Sequence, residues 1–282
     1  MVEDRKLLIA IVGTSIIAYN GIRYLLNYFR YRCSPLTPVG TVGALYVYPV
    51  KSCKGKSVFS VYCDELGPVA GEMRDRQFVV INGETGRVYK NERCDGLDCG
   101  DDAATFLANI IQDPGIIHVY ADTLVGNELS LIDMLLAFND DAPFMINTQS
   151  SLDDLNGKLH DKVTIEQFRP VIVVNNCDAF DEDKWYSVHI GDVALQCTKP
   201  CERCVMTTIN STTGIKHPSM EPLKTLRKYR LAPEGPMRKL FKDCPIFGVD
   251  AGVITPGYIH VGQTVYVRYK RAYQKANLFH RL

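Results

Sequence analysis

The chain has no surplus of charge: 32 Lys and Arg stand against 32 Asp and Glu over 282 residues. Without a broad basic field to gather polyanions by counterion release, no nucleic-acid role is expected. It has no G-x-x-x-x-G-K-[ST] loop and no G-x-G-x-x-G fingerprint, so nucleotide binding through those phosphate cradles is unsupported. It has no haem or flavin motif either, and any redox chemistry here needs electrons from outside. Internal repeats and low-complexity tracts are absent. Ten cysteines are too few for a disulfide-dense scaffold of this length. What is present is enough apolar residue, 46% against 23% charged, to bury a core in one large domain or two small ones.

Long apolar runs are lacking save one. Residues 7–22 carry no charge, and the run resumes after Arg23 as Tyr24-Leu25-Leu26-Asn27-Tyr28-Phe29. As a helix this is long enough to cross a hydrocarbon layer of ~30 Å. No small-x-small cleavage site follows, and the aromatic flank suits a membrane interface, so an uncleaved anchor is expected. Arg23, Arg30 and Arg32 follow it, while Glu3, Asp4, Arg5 and Lys6 roughly cancel before it; the positive-inside tendency keeps the remainder cytosolic. Ser34-Pro35-Leu36-Thr37-Pro38-Val39-Gly40 reads as a linker.

The body reads as β-rich α+β, with a small barrel more plausible than a doubly wound sheet. Strands are expected over residues 42–50, 78–81, 87–89, 115–120, 171–174, 185–195, 205–209 and 264–268, with Asn82-Gly83-Glu84-Thr85-Gly86 as a hairpin turn. Helices are expected over residues 101–112, from Ser150 onward, and over residues 221–231.

The richest chemical segment is Cys197-Thr198-Lys199-Pro200-Cys201-Glu202-Arg203-Cys204-Val205-Met206-Thr207-Thr208. C-x3-C-x2-C is the spacing of a radical-enzyme iron–sulfur cluster, but only 78 residues follow Cys204, too few for the βα barrel such a site opens. A zinc site lacks its second C-x-x-C or His pair, and a thioredoxin-type dithiol needs a helix where residues 205–209 look extended. Buried thiols at a strand start remain open beside these readings.

Four motifs in order change the balance: Tyr48-Pro49-Val50-Lys51-Ser52-Cys53-Lys54-Gly55, Met73-Arg74-Asp75-Arg76, Phe168-Arg169-Pro170 and Cys201-Glu202-Arg203-Cys204. Together, and with Pro245-Ile246-Phe247-Gly248 near the end, they resemble the MOSC superfamily, most closely its mitochondrial amidoxime-reducing components. The resemblance runs from about Thr41 to about Tyr269. It extends to the C-terminal part of molybdenum cofactor sulfurases, whose pyridoxal-phosphate domain has no counterpart here.

The resemblance implies a MOSC-type β-barrel domain at residues 121–270 and a shortened MOSC N-terminal domain at 41–120. An anchor and linker at 1–40 and a tail at 271–282 flank them. It implies a molybdenum cofactor held by Cys204 as the protein's metal ligand, a soft thiolate donor suited to that metal. Cys201 is not carried over as a ligand. The pterin phosphate falls to Lys51, Ser52, Arg76 and Arg169, whose forked or cationic donors match it. Asp140 and Asp141 fall where the family lines the pocket, to bind pterin N–H groups or hand on a proton. The implied activity is reduction of amidoximes and hydroxylamines with electrons from cytochrome b5 and its NADH-dependent reductase, at the cytosolic face of the mitochondrial outer membrane. A non-catalytic cofactor-binding or interaction protein is the alternative.

The sequence also departs from the pattern. Arg87-Val88-Tyr89-Lys90 and Gly96-Leu97-Asp98-Cys99-Gly100 are joined only by Asn91-Glu92-Arg93-Cys94-Asp95, where related proteins carry further strands. Val249-Asp250 stands where an aromatic is more usual, and Val171 follows Arg169-Pro170 where an amide side chain is more usual.

Overall fold

The computed structural model describes residues 18, 19, 21, 22, 34–82, 87, 88, 97, 98, 117–121 and 142–272. The chain divides into two units, Met1–Thr37 and Pro38–Leu282. Most of the apolar stretch at 7–29, the helix expected over 101–112, and Asp140 and Asp141 lie outside the described residues. Among the described residues no helix is long and apolar enough to cross a membrane.

The second unit is built from strands β1 (Thr37–Val47), β2 (Lys56–Val58), β3 (Ser60–Asp64), β4 (Gly67–Ala70), β5 (Met73–Arg74), β6 (Phe78–Asn82), β7 (Arg87–Val88), β8 (Leu97–Asp98), β9 (Ile117–Ala121), β10 (Phe144–Thr148), β11 (Ile172–Asn175), β12 (Trp185–Ile190), β13 (Val193–Glu202), β14 (Ile246–Thr255), β15 (Gly257–His260) and β16 (Thr264–Tyr269). Helices α1 (Gln149–Asn156), α2 (Leu223–Tyr229) and α3 (Pro236–Phe241) are short. β1 begins inside the stretch expected to be linker.

The main sheet runs β11-β10-β14-β13-β12-β16-β1-β2, and β11 also pairs with β1. Seven strands therefore close on themselves, which removes the exposed edges of an open sheet. β10 and β11 are parallel, joined by the crossover that holds α1. Side-chain alternation explains the layering. Leu45, Phe144, Ile146, Ile172, Val174 and Val249 point into one buried cluster inside the barrel. Their neighbours Tyr46, Met145 and Val173 point outward into a second cluster with Leu152 and Leu155 of α1, with Phe168 and with Phe247, which the left-handed Gly248 sets on the face opposite Val249. This second core supports the site.

Two small sheets accompany the barrel: β15-β3-β4-β5 and β7-β6-β9-β8. The expected hairpin is there, with Ile81 opposite Val88 and Asn82 opposite Arg87. α1 starts at its cap Thr148, whose hydroxyl accepts from the Ser151 N–H and satisfies one orphan donor of the first turn.

Candidate active site

Cys204 lies two residues beyond the last residue of β13, whose end is pinned to the start of β14: Glu202 lies opposite Ile246, and the Arg203 N–H donates to Pro245 O at 2.8 Å. After it, Val205–Thr208 forms one 3-10 turn with Cys204 as N-cap, not the extended run expected from sequence. The hydroxyls of Thr207 and Thr208 donate back to Cys204 O (2.9 Å) and Val205 O (2.7 Å), and such local bonds draw Thr-rich backbone out of strand geometry. Cys204 itself is exposed.

Arg203 is buried beside it, 7% exposed. Its guanidinium donates to Phe247 O (2.7 Å from Nε), Phe168 O (2.9 Å) and Asn147 Oδ1 (3.3 Å). One side chain thus ties the Cys204 segment to β14, to β10 and to the turn Ile165–Phe168 that precedes Arg169. A further tether runs from Gln167 Nε2 to Thr207 O at 3.2 Å.

Arg169 lies over the Tyr48 ring with its guanidinium carbon 4.4 Å from the centroid, and it donates to Cys53 O. Arg76 reaches the same ring at 5.9 Å and pairs with buried Asp75, which accepts the Tyr48 N–H at 2.6 Å. Burial pushes the Asp75 carboxyl up, with Arg76 and the Tyr48 N–H pulling it partly back. Burial, then the like charge of Arg76, push Arg169 down, yet a guanidinium starts so high that it stays charged. The Lys51-Ser52 loop is fixed by Lys51 N–H to Phe78 O, 2.8 Å, and Phe78 N–H to Pro49 O, 2.9 Å. Ser52, Arg76 and Arg169 all hold positive φ, at 65°, 49° and 56°, conformations that cost non-glycine residues energy and gather at ligand sites.

These pieces enclose a cavity of about 330 Å³ lined by Ser52, Arg76, Arg169 and Cys204, with Asp250, Cys201 and Cys244 also on its wall. Lys51, half-buried, is outside this lining. Sequence reasoning missed Arg203 and treated Asp250 only as a departure. Asp250, 3% exposed, was detectable as a lone carboxylate in the apolar run of β14, since such residues are rarely buried without a task. Among the described residues no group of three or more His, Cys, Asp or Glu is placed to hold a metal.

An oxyanion-bearing cofactor fits what is there. Arg169 Nη2 is buried with no hydrogen-bond partner, a donor that calls for an acceptor. It shares the cavity with Arg76, a serine hydroxyl and one exposed thiol, the donor set for a phosphate and a soft metal.

Comparison with known proteins gives the family. The MOSC domain model matches residues 133–266 and the MOSC N-terminal beta barrel domain model residues 39–94. Human mitochondrial amidoxime-reducing component 1 is 30% identical, with 92% of each chain covered. Component 2 of Macaca fascicularis is 32% identical, with 94% of each covered. Component 2 of Bos taurus is 34% identical over 82% of this chain and 84% of its own. The human alignment spans 312 positions against the 282 residues here, so positions of that relative have no counterpart in this chain. The chain belongs to the MOSC domain family, together with the mitochondrial amidoxime-reducing components.

Proposed function

We propose that this protein is a molybdenum-cofactor reductase of N-hydroxylated compounds, amidoximes and hydroxylamines. The observation that carries the reading is the convergence of Cys204 with Ser52, Arg76 and Arg169 on one cavity; the names of the relatives supply the reaction class. Cys204 holds the metal through its thiolate. Arg169 and Arg76 hold the phosphate, Ser52 adds a hydroxyl, and Lys51, next to Ser52 in the chain, adds charge. Tyr48 and Asp75 keep both guanidiniums in place before any ligand arrives, so little ordering is left for binding to drive. The bound cofactor supplies an acceptor for the oxygen of the substrate N–O bond. That bond breaks with two electrons and two protons, giving the amidine or amine and water. We assign the proton to Asp140 and pterin N–H recognition to Asp141, on the strength of the family pattern.

Electrons come from cytochrome b5 and its NADH-dependent reductase, and residues 7–29 anchor the protein in the mitochondrial outer membrane with the barrel facing the cytosol. The positions of the human relative that have no counterpart here favour a second reading, a cofactor-binding or interaction protein without turnover. Benzamidoxime reduction by the reconstituted electron chain separates the two: turnover supports the reductase, and bound molybdenum with no turnover supports the second. Carbonate extraction tests the anchor, which predicts that the full chain stays with the membrane pellet.

A further inference from the structure

A chain with no electron carrier of its own needs a surface where one can be presented close to Cys204. Residues 221–244 hold seven Lys and Arg against three Asp and Glu, in a chain whose totals cancel. Some of these charges are used internally. Arg230 binds Asp183 at 2.7 Å, Arg238 lies 3.4 Å from Glu234, and Glu221 accepts the Thr225 N–H at 3.0 Å. Lys224, Lys228, Lys239 and Lys242 are exposed. In the same stretch Leu240 is 72% exposed and Met237 37%, so exposed apolar side chains accompany the exposed cations, a mixture that suits a protein interface.

The patch is one strand's thickness from the site. Arg227 Nε donates to Asp243 O at 3.1 Å, and the next residue, Cys244, lines the cavity with Cys204. Leu231 bridges Pro245, Ile246 N–H donates to Arg230 O at 2.8 Å, and Pro245 O accepts from Arg203 N–H. The end of α2 is therefore joined to the cysteine segment through the single stretch Asp243–Ile246, which follows α3.

We infer that the α2–α3 surface docks the one-electron donor, a small redox protein with an acidic face around its redox centre. The inference rests on the reductase reading. Charge complementarity of this kind steers encounter and sets orientation, and a one-electron carrier must dock twice for each N–O bond reduced. That favours a weak, salt-sensitive contact over a tight one. An anionic membrane would also attract a basic patch with exposed Leu240, but α2 and α3, of seven and six residues, present no long amphipathic face to lie in a lipid interface.

The test uses the full chain in detergent with oxidised cytochrome b5 as probe. The expected result is that Lys224→Glu/Lys228→Glu/Lys239→Glu weakens the Kd for cytochrome b5 by about tenfold or more at low salt, that added salt erases the difference, and that Lys56→Glu/Lys162→Glu leaves the Kd unchanged. Benzamidoxime reduction driven by reduced methyl viologen should be the same in wild type and triple variant. An unchanged Kd in the triple variant overturns the inference, as does equal weakening in the control. Binding of the wild type to vesicles of phosphatidylserine and phosphatidylcholine, lost in the triple variant while the cytochrome b5 Kd holds, assigns the patch to lipid. Failure of wild-type turnover with viologen counts against the reductase reading itself, and the Kd comparison still decides the docking surface.

Discussion

The guanidinium of Arg169 lies on the face of Tyr48, 4.4 Å from the ring centroid, while the Tyr48 hydroxyl donates to Pro170 O at 3.2 Å. The ring thus fixes both the charge and the backbone that carries it. Tyr48→Phe keeps the stack and loses one hydrogen bond, about 1 kcal/mol of stability; Tyr48→Leu also loses the cation–π contact, a further ~1–2 kcal/mol at a desolvated site. Expected is near-normal pterin content in Tyr48→Phe and a severalfold fall in Tyr48→Leu, read by release and fluorescence of the oxidised pterin.

Arg203 acts through position. Arg203→Met strips Phe247 O and Phe168 O of donors in a buried region, at ~1–3 kcal/mol for each acceptor left unpaired. A drop in urea stability of about 3 kcal/mol is expected, with Arg203→Lys intermediate because a single ammonium cannot span the same fork of acceptors. Stability equal to wild type in Arg203→Met would show that the guanidinium does not hold the segment.

Gly248 has φ of 87°, and a Cβ there would sit 2.6 Å from Asn147 Oδ1 and 2.8 Å from Ile146 O. The second contact is backbone and cannot swing away. Gly248→Ala should cost ~2–4 kcal/mol from strain and overlap, measured as a fall in the urea midpoint with unchanged slope.

Glu182 is fully buried, accepting from Ser151 (2.8 Å) and Thr148 (3.1 Å). Burial pushes its carboxyl up to about 7 from 4.5, with the two hydroxyls opposing and the Asp183 charge adding; Cys177 and Asp181 are neighbouring titratable groups. The folded state therefore keeps a proton that the unfolded chain releases, so this group's contribution to stability is full below pH 4.5 and is lost as pH rises to about 7. The change is up to ~3 kcal/mol at about 1.4 kcal/mol per pH unit. Glu182→Gln should flatten the slope of urea stability between those pH values. A slope like that of wild type would place the carboxyl's titration elsewhere.

Much of the scaffold was legible because alternation and turn chemistry are local. The hairpin of β6 and β7, the capped start of α1 and the strand β11 follow from patterns within a dozen residues. The turn after Cys204 was not, because Val205-Met206-Thr207-Thr208-Ile209 is β-prone by composition and is bent by hydroxyls bonding back along the chain. The iron–sulfur and zinc spacings failed for a different reason: a cysteine pattern on paper says nothing about side chains that a strand separates. Cys197 is buried in β13, while Cys204 lies exposed beyond its end. Ser52, Arg76 and Arg169 were nameable only through the order of their motifs. What joins the two arginines, the shared ring of Tyr48, depends on contacts across 27 and more than a hundred positions that no local reading reaches. The same holds for Arg203, whose partners lie on three other elements.

The most direct measurement is metal and pterin analysis of the purified full chain beside Cys204→Ser. The account predicts about one molybdenum per chain, lost in Cys204→Ser while the fold, judged by circular dichroism, is kept. Zinc, or no metal, in the wild-type protein purified from a host that makes the cofactor would contradict it.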